Sequence, residues 1–224
     1  MKCKVSDQVS ALGIQVAYLL ISNIDQSFFT KSLKNEIEHF YRNFSAVLTK
    51  EEIKNDPYIA GYRELHKMVG VKSKSLVASP ESLIKILQKH NSLRPINYIV
   101  DTYNYIAIKN KVSIGAHDTE LINGNVELKI IDGNERFVPL GDTNPQTVNA
   151  GEYSYVDDSN EIICRLDCRQ CDKTKTSANT KSCLFIIQGN KYIQSELLKN
   201  VAEELVDIFK LSIDSQIKYR ITIA

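Results

Sequence analysis

At 224 residues the chain can form one large domain or two small ones, with a core burying about 70% of the unfolded surface. Its composition, 43% apolar and 25% charged with nine Gly and five Pro, excludes collagen-like and extensively disordered classes. A formal net charge of +1 excludes strong whole-molecule attraction to nucleic acid or membrane, so any such binding needs a local patch. Five cysteines, and a start (MKCKVSDQ) without the apolar core of a signal peptide, set the expectation of free thiols in a reducing cytoplasm.

Taken in chain order, ALGIQVAYLLISNI is about 14 residues with Gln15 inside it, too short for a bilayer span, and reads as a buried strand. Phe28, Leu33, Ile37, Phe40 and Tyr41 recur at helical spacing and predict an amphipathic helix over roughly 27–43. Thr49 and Glu52 have the spacing of a capping box. Gly70 closes a predicted helix containing Tyr62, Leu65 and Met68. Ser79-Pro80-Glu81 reads as cap, first helical turn and acid, opening a helix with Leu83, Ile84 and Leu87 inward. Ile96, Ile99, Val100, Tyr103 and Ala107 repeat at three and four, and the following SIGAHDT reads as a loop.

From about residue 124 the period falls to two. NVELKI, ERFVPL, EYSYV, EIICRL and CLFIIQ read as short strands between Gly, Asn and Asp turns. YIQSELLKNVAEELVDIFK returns to helix, and QIKYRITI is a last strand. The order predicts an α+β fold, N-terminal helices packed on a mixed β-sheet, with a strand from each end tying the halves together.

CRLDCRQC has the spacing Cys164-x-x-x-Cys168-x-x-Cys171, which a cluster on a mobile loop would use. Here the first thiol belongs to a predicted strand, and a zinc site would lack a fourth ligand other than Cys183 in an apolar strand. The favoured reading is buried or half-buried free thiols, without metal or other cofactor. The histidines are scattered. His117-Asp118 is a candidate pair, weighed against a structural histidine. No phosphate loop, nucleophile elbow or dinucleotide fingerprint is present. Between 165 and 181, Arg165, Arg169, Lys173, Lys175 and Lys181 oppose Asp167 and Asp172, a local net of +3 that reads either as a phosphate-facing patch or as a solvated edge.

RPINYIVDTYNYIAIKNKVSIGAHD resembles the segment that opens the B3/B4 domain of the bacterial phenylalanyl-tRNA synthetase beta subunit. Arg94, Pro95, Asn97, Val100, Asp101, Asn104, Tyr105, Ala116 and Asp118 match in register, and TKSCLFII is similar to the domain's closing strand. The stretch around Gly70-Val71-Lys72 and Ser79-Pro80-Glu81 looks like freestanding proteins that carry this domain alone. The resemblance covers roughly 55–210. It implies an N-terminal strand and helix over 1–54 packed on a B3/B4-like unit over 55–224, the two forming one compact unit.

In the synthetase this domain hydrolyses tyrosine mistakenly attached to the phenylalanine tRNA. The resemblance therefore implies a cytoplasmic, membrane-free partner of tRNA or aminoacyl-tRNA, with a pocket for a small aminoacyl ligand. Carried over residue by residue, Asn104 keeps the pocket Asn, while Tyr103 stands where the family has Thr. Gly115 stands where it has the pocket His, and His117 where it has Phe. The acidic pocket residue falls on or beside Asp172, and freestanding relatives carry an Arg like Arg169. On this basis His117 is the candidate base or donor, supported by Asp118. Asn104, Tyr103, Gly115, Arg169 and Asp172 are the candidate substrate contacts. Two outcomes stay open: trans-editing hydrolysis of mischarged tRNA, or binding of RNA or an amino acid without catalysis. Aminoacylation by this chain alone is not expected.

Overall fold

Residues 1–28, 30–47, 49–71, 76–212 and 216–224 are described by a computed structural model. In chain order the elements are β1 (Cys3–Val5), α1 (Asp7–Ser10), β2 (Val16–Ser22), α2 (Lys31–Val47), α3 (Lys50–Asn55), α4 (Pro57–Met68), α5 (Ser79–His90) and α6 (Tyr98–Asn110). There follow β3 (Ser113–Asp118), β4 (Val126–Ile130), β5 (Tyr153–Asp157), β6 (Ile162–Arg165), β7 (Arg169–Gln170), β8 (Ser182–Gln188), α7 (Ser195–Ser212) and β9 (Lys218–Ile223). This is the expected α+β architecture, with the strands divided between two sheets. One is antiparallel in the order β3-β8-β2-β9. The other is mixed, in the order β1-β4-β5-β6-β7, with β1 parallel to β4.

The antiparallel sheet is covered on both faces, which explains why β8 is buried at all but its first residue. On one face Phe185 meets Phe209 of α7, ring centroids 5.5 Å apart, and Phe209 meets Tyr98 of α6 at 5.0 Å. On the other face Tyr18 packs edge-on against Tyr155 of the mixed sheet, centroids 6.4 Å apart. β2, from the N-terminal stretch, lies between β8 and β9. The two expected terminal strands are β2 and β9, neighbours in this sheet, whereas β1, not expected from the sequence, joins the mixed sheet.

Polar groups buried between the sheets are joined in one network. The Asp167 carboxylate accepts from His66 Nε2 at 2.9 Å and from the Tyr153 hydroxyl at 2.9 Å. Tyr155 donates to Gln188 Oε1 at 2.7 Å, and Tyr62 to the Gln188 carbonyl at 2.5 Å. Tyr62 in turn accepts from the Ser113 amide, and the Ser113 hydroxyl donates to the Asp167 carbonyl. α4, β3, β5, β8 and the β6–β7 turn are thus tied through one satisfied cluster.

Two local expectations are met: Thr49 and Glu52 form both halves of the capping box, and α4 ends at Met68, just before Gly70. Asn97 also caps α6, accepting from the Val100 amide, a cap not expected from the sequence. Others are corrected. The helix expected over 27–43 is a short 3-10 turn at Gln26–Phe28 followed by α2, and residue 29 lies outside the described residues. Ser79 is the first helical residue rather than the cap; Ala78 precedes it without a side-chain bond, and the Ser79 hydroxyl meets Ser113 instead. Ile96 precedes α6 and is exposed. ERFVPL forms no named strand, only isolated bridges at Arg136 and Pro139, because proline lacks the ladder donor. SIGAHDT is a strand through Asp118, not a loop, because β8 offers it six consecutive partners. Of the Gly70-Val71-Lys72 step, Lys72 lies outside the described residues.

Candidate functional site

β3 places two of the expected residues side by side. Pairing of Gly115 with Ile186 and His117 with Leu184 puts them on one face of the sheet, together with Ser113 and Gln188. That is the face turned toward the mixed sheet. His117 is fully buried. Its Nδ1 lies 2.7 Å from Thr174 Oγ1 and 3.4 Å from Gln170 Nε2. The same Gln170 nitrogen donates to the Ala116 carbonyl at 2.6 Å, which fixes it as the amide nitrogen. From this contact we assign Nδ1 as the acceptor, which puts the imidazole proton on Nε2. Burial pushes the imidazole pKa down to about 3, so the ring is neutral at physiological pH.

Nε2 is buried and, among the described residues, has no hydrogen-bond partner. It points over Gly115: a side chain added there would meet nothing within 4 Å except Nε2 itself, at 3.7 Å. Gly115 thus leaves a notch, open where a Cβ would stand, with this buried nitrogen as its inner neighbour. A buried donor left unmet costs about 1–3 kcal/mol. Tyr103, on α6, is half-buried and packed against the core. Its phenol is held protonated first by burial, then by the thiols of Cys183 and Cys164, one from each sheet.

The other expected residues lie elsewhere. Asn104 lines a groove of about 640 Å³ between α2 and α6, with Asp101, Asn97 and Tyr41. Arg169 is exposed and lines a separate groove of about 830 Å³ with Arg165, Glu152 and Phe137. Asp118 does not support His117: its carboxylate accepts from the Glu120 amide at 3.1 Å and from Thr180 Oγ1 at 2.6 Å. Asp172 accepts from the Gly141 amide and from Lys175, in that order the causes that hold its carboxyl below the usual range.

The thiols of the CRLDCRQC run do not converge. Cys164 meets the Leu166 carbonyl, Cys168 the Arg165 carbonyl and Cys171 the Thr174 hydroxyl. Among the described residues no three His, Cys, Asp or Glu side chains are grouped to hold a metal ion. The basic stretch of 165–181 is not a patch either. Arg165 forms a buried two-pronged pair with Glu152, Lys173 pairs with Glu161 and Asp157, and Lys175 pairs with Asp172.

The site residues missed in the sequence are Gln170 and Thr174, whose only signal was proximity to the cysteines. Also missed was the pairing of His66 with Asp167, 101 residues away.

Comparison with known proteins gives a consistent outcome. The family described as B3/4 domain matches residues 61–209. The phenylalanine–tRNA ligase beta subunit of Mycoplasma genitalium is 28% identical over 123 residues, 55% of this chain but 15% of that protein. An N-terminal fragment of the phenylalanyl-tRNA synthetase beta-subunit from Pyrococcus horikoshii has the same fold, with a TM-score of 0.51 at 11% identity. The match to it covers 98% of this chain and 50% of that one. The chain thus spans a minor part of one relative and half of the other. Among the described residues no helix is long and apolar enough to cross a membrane.

Proposed function

This chain belongs to the B3/4 domain family, and from that we propose that it binds the aminoacylated end of a tRNA and hydrolyses the ester of a mischarged one. The observation that carries the reading is the unmet His117 Nε2–H directed into the notch over Gly115. A neutral imidazole with its proton on Nε2 is a hydrogen-bond donor, not a base. Its natural acceptor is the ester carbonyl oxygen, and the bond strengthens as that oxygen gains negative charge when water attacks. Water adds to the acyl carbon, the bond to the ribose oxygen breaks, and free amino acid and tRNA hydroxyl are released. Tyr103 and the side-chain-free Gly115 set the shape offered to the amino acid. On this reading Asn104 and Arg169 contact parts of the RNA remote from the ester, and the protein acts in the cytoplasm, where charged tRNA is found.

The second reading, binding without hydrolysis, is favoured by the commitment of both Asp118 oxygens to the protein, which removes Asp118 as a base beside His117. A panel of correctly and wrongly charged tRNAs separates the two. Selective release of one amino acid by the wild type, lost in His117→Phe and insensitive to pH between 5 and 8, supports the hydrolase. No release above the uncatalysed rate for any pair overturns it. Protection of one aminoacyl-tRNA from spontaneous hydrolysis would establish the binding module.

A further inference from the structure

The groove between α3, α4 and α5 carries a charge that the rest of the molecule does not. Lys50, Lys54, Arg63, Lys85 and Lys89 line its volume of about 810 Å³ together with Glu81, five cations against one carboxylate. With a formal charge of +1 for the whole protein and +4 for this groove, everything outside it sums to −3.

The groove has an ordered floor and free walls. Glu81 is buried and holds Arg63 at 2.8 Å and Lys85 at 2.6 Å, while Arg63 also donates to the Lys54 carbonyl at 2.7 Å. Lys50, Lys54 and Lys89 are exposed, and among the described residues none has a carboxylate within ion-pair distance. The acids nearest in sequence are engaged elsewhere: Glu52 in the capping box, Glu51 with Asn55, and Asp56 with the first turn of α4 and with Lys111. Lys89 suits the last turn of α5, where a cation meets the helix dipole favourably. Lys50 does not suit its place: it is the first residue of α3, where a cation is disfavoured, so local structure gives no reason for it.

We propose that this groove is the surface on which the phosphate backbone of the tRNA docks, an inference that rests on the aminoacyl-tRNA reading above. A concave channel with unpaired ammonium groups fits a rod-like polyanion. The geometry also links it to the notch. α5 runs about 18 Å over its 12 residues. It starts at Ser79, whose hydroxyl lies 2.9 Å from that of Ser113, the first residue of β3, and Gly115 follows two positions on. Groove and notch are therefore within roughly 30 Å of each other along two rigid elements, by helix and strand rise. One RNA end can lie in the first and reach the second.

The test is a salt titration of binding to uncharged tRNA. Three phosphate contacts contribute a slope of about −2 in log affinity against log salt, which amounts to about 100-fold in affinity at 0.1 M salt. The variant Lys50→Gln/Lys54→Gln/Lys89→Gln is expected to lose both, without a change in thermal midpoint. A second variant of equal charge, Lys175→Gln/Lys181→Gln/Lys218→Gln, is expected to bind as the wild type does. Equal losses in the two variants, or none in the first while the wild type binds with a steep slope, overturn the groove and leave the reading of the notch standing. No binding of tRNA by the wild type at 50 mM salt overturns that reading together with the groove.

Discussion

Replacing Asp167 with Asn keeps the shape of a fully buried side chain but removes its charge from a site where His66, Tyr153 and Gln188 all donate to it. The amide retains one acceptor oxygen and directs an NH₂ at a former donor. Hydrogen bonds to a charged acceptor are worth about 1.5–3 kcal/mol each, and breaking a buried pair costs about 3–5 kcal/mol. A loss of about 3 kcal/mol is expected, or about 6–12 °C in thermal midpoint for a chain of this size.

The loss should depend on pH in a defined sense. Burial alone would lower the His66 pKa, but the Asp167 carboxylate facing it outweighs burial, with help from the Leu76 carbonyl and Glu152, and the net shift is upward. Tyr153 and Tyr62 face the same cluster and stay protonated. A raised histidine pKa contributes stability that is fully present below the unfolded value of about 6.5 and is lost as pH rises through the folded one. The gap between wild type and Asp167→Asn, measured by urea unfolding from pH 5.5 to 8.5, should therefore be widest at the acid end and narrow upward. A gap that is absent, or that widens with pH, would refute the argument.

Gly61→Ala sets helix propensity against packing. The methyl would overlap the Asn190 side chain, which is buried and held by the Tyr58 carbonyl and the Tyr192 amide, so a loss of about 1–3 kcal/mol in urea unfolding is expected instead of the usual gain. His117→Phe removes the unmet N–H and the bond to Thr174 together, while the open space over Gly115 accommodates the larger ring. Stability should stay within about 1 kcal/mol while deacylation disappears, and parallel loss of both would mean a purely structural histidine. Alkylation at pH 8 should be slow at Cys164, Cys168 and Cys183, whose thiols burial pushes far up, and at Cys3, pushed up to about 11. Urea should release all of them in a mass-spectrometric count, and rapid native labelling of Cys168 would contradict the burial.

Elements written in local periodicity were legible in the sequence, whereas features made by distant partners were not. α4, α5, α6 and α7 carry their own apolar faces, so three- and four-residue spacing suffices to find them. β3 contains a glycine, a histidine and an acid in six residues and has no alternation to read; only β8, some 70 residues later, makes it a strand. The same separation misleads the reading of charge. Five cations between 165 and 181 form a cluster on paper, yet Glu152, Asp157 and Glu161 neutralise two of them from across the mixed sheet. The cations that do gather come from three helices spread over residues 50–89.

His117 shows what this changes for function. As a loop residue beside Asp118 it reads as a base with its supporting acid. As a strand residue it is turned away from Asp118, because neighbours in a strand face opposite sides of the sheet. Its partners become Thr174 and Gln170, and the pair that fixes its tautomer comes from more than 50 residues away. The chemistry changes with the partners: a neutral donor polarises a carbonyl, whereas a base takes a proton from water. The Nε2 of His117 lies over Gly115, so on the proposed reading the donor reaches this space from two residues along the strand. Gly115→His would then place two rings in one notch, and Gly115→Ala would half fill it. If the notch holds the ester, even the methyl should raise KM or abolish binding while leaving the fold intact, because a Cβ there meets nothing closer than 3.7 Å. Wild-type aminoacyl-tRNA binding and turnover in Gly115→Ala would show that the ester is held somewhere else.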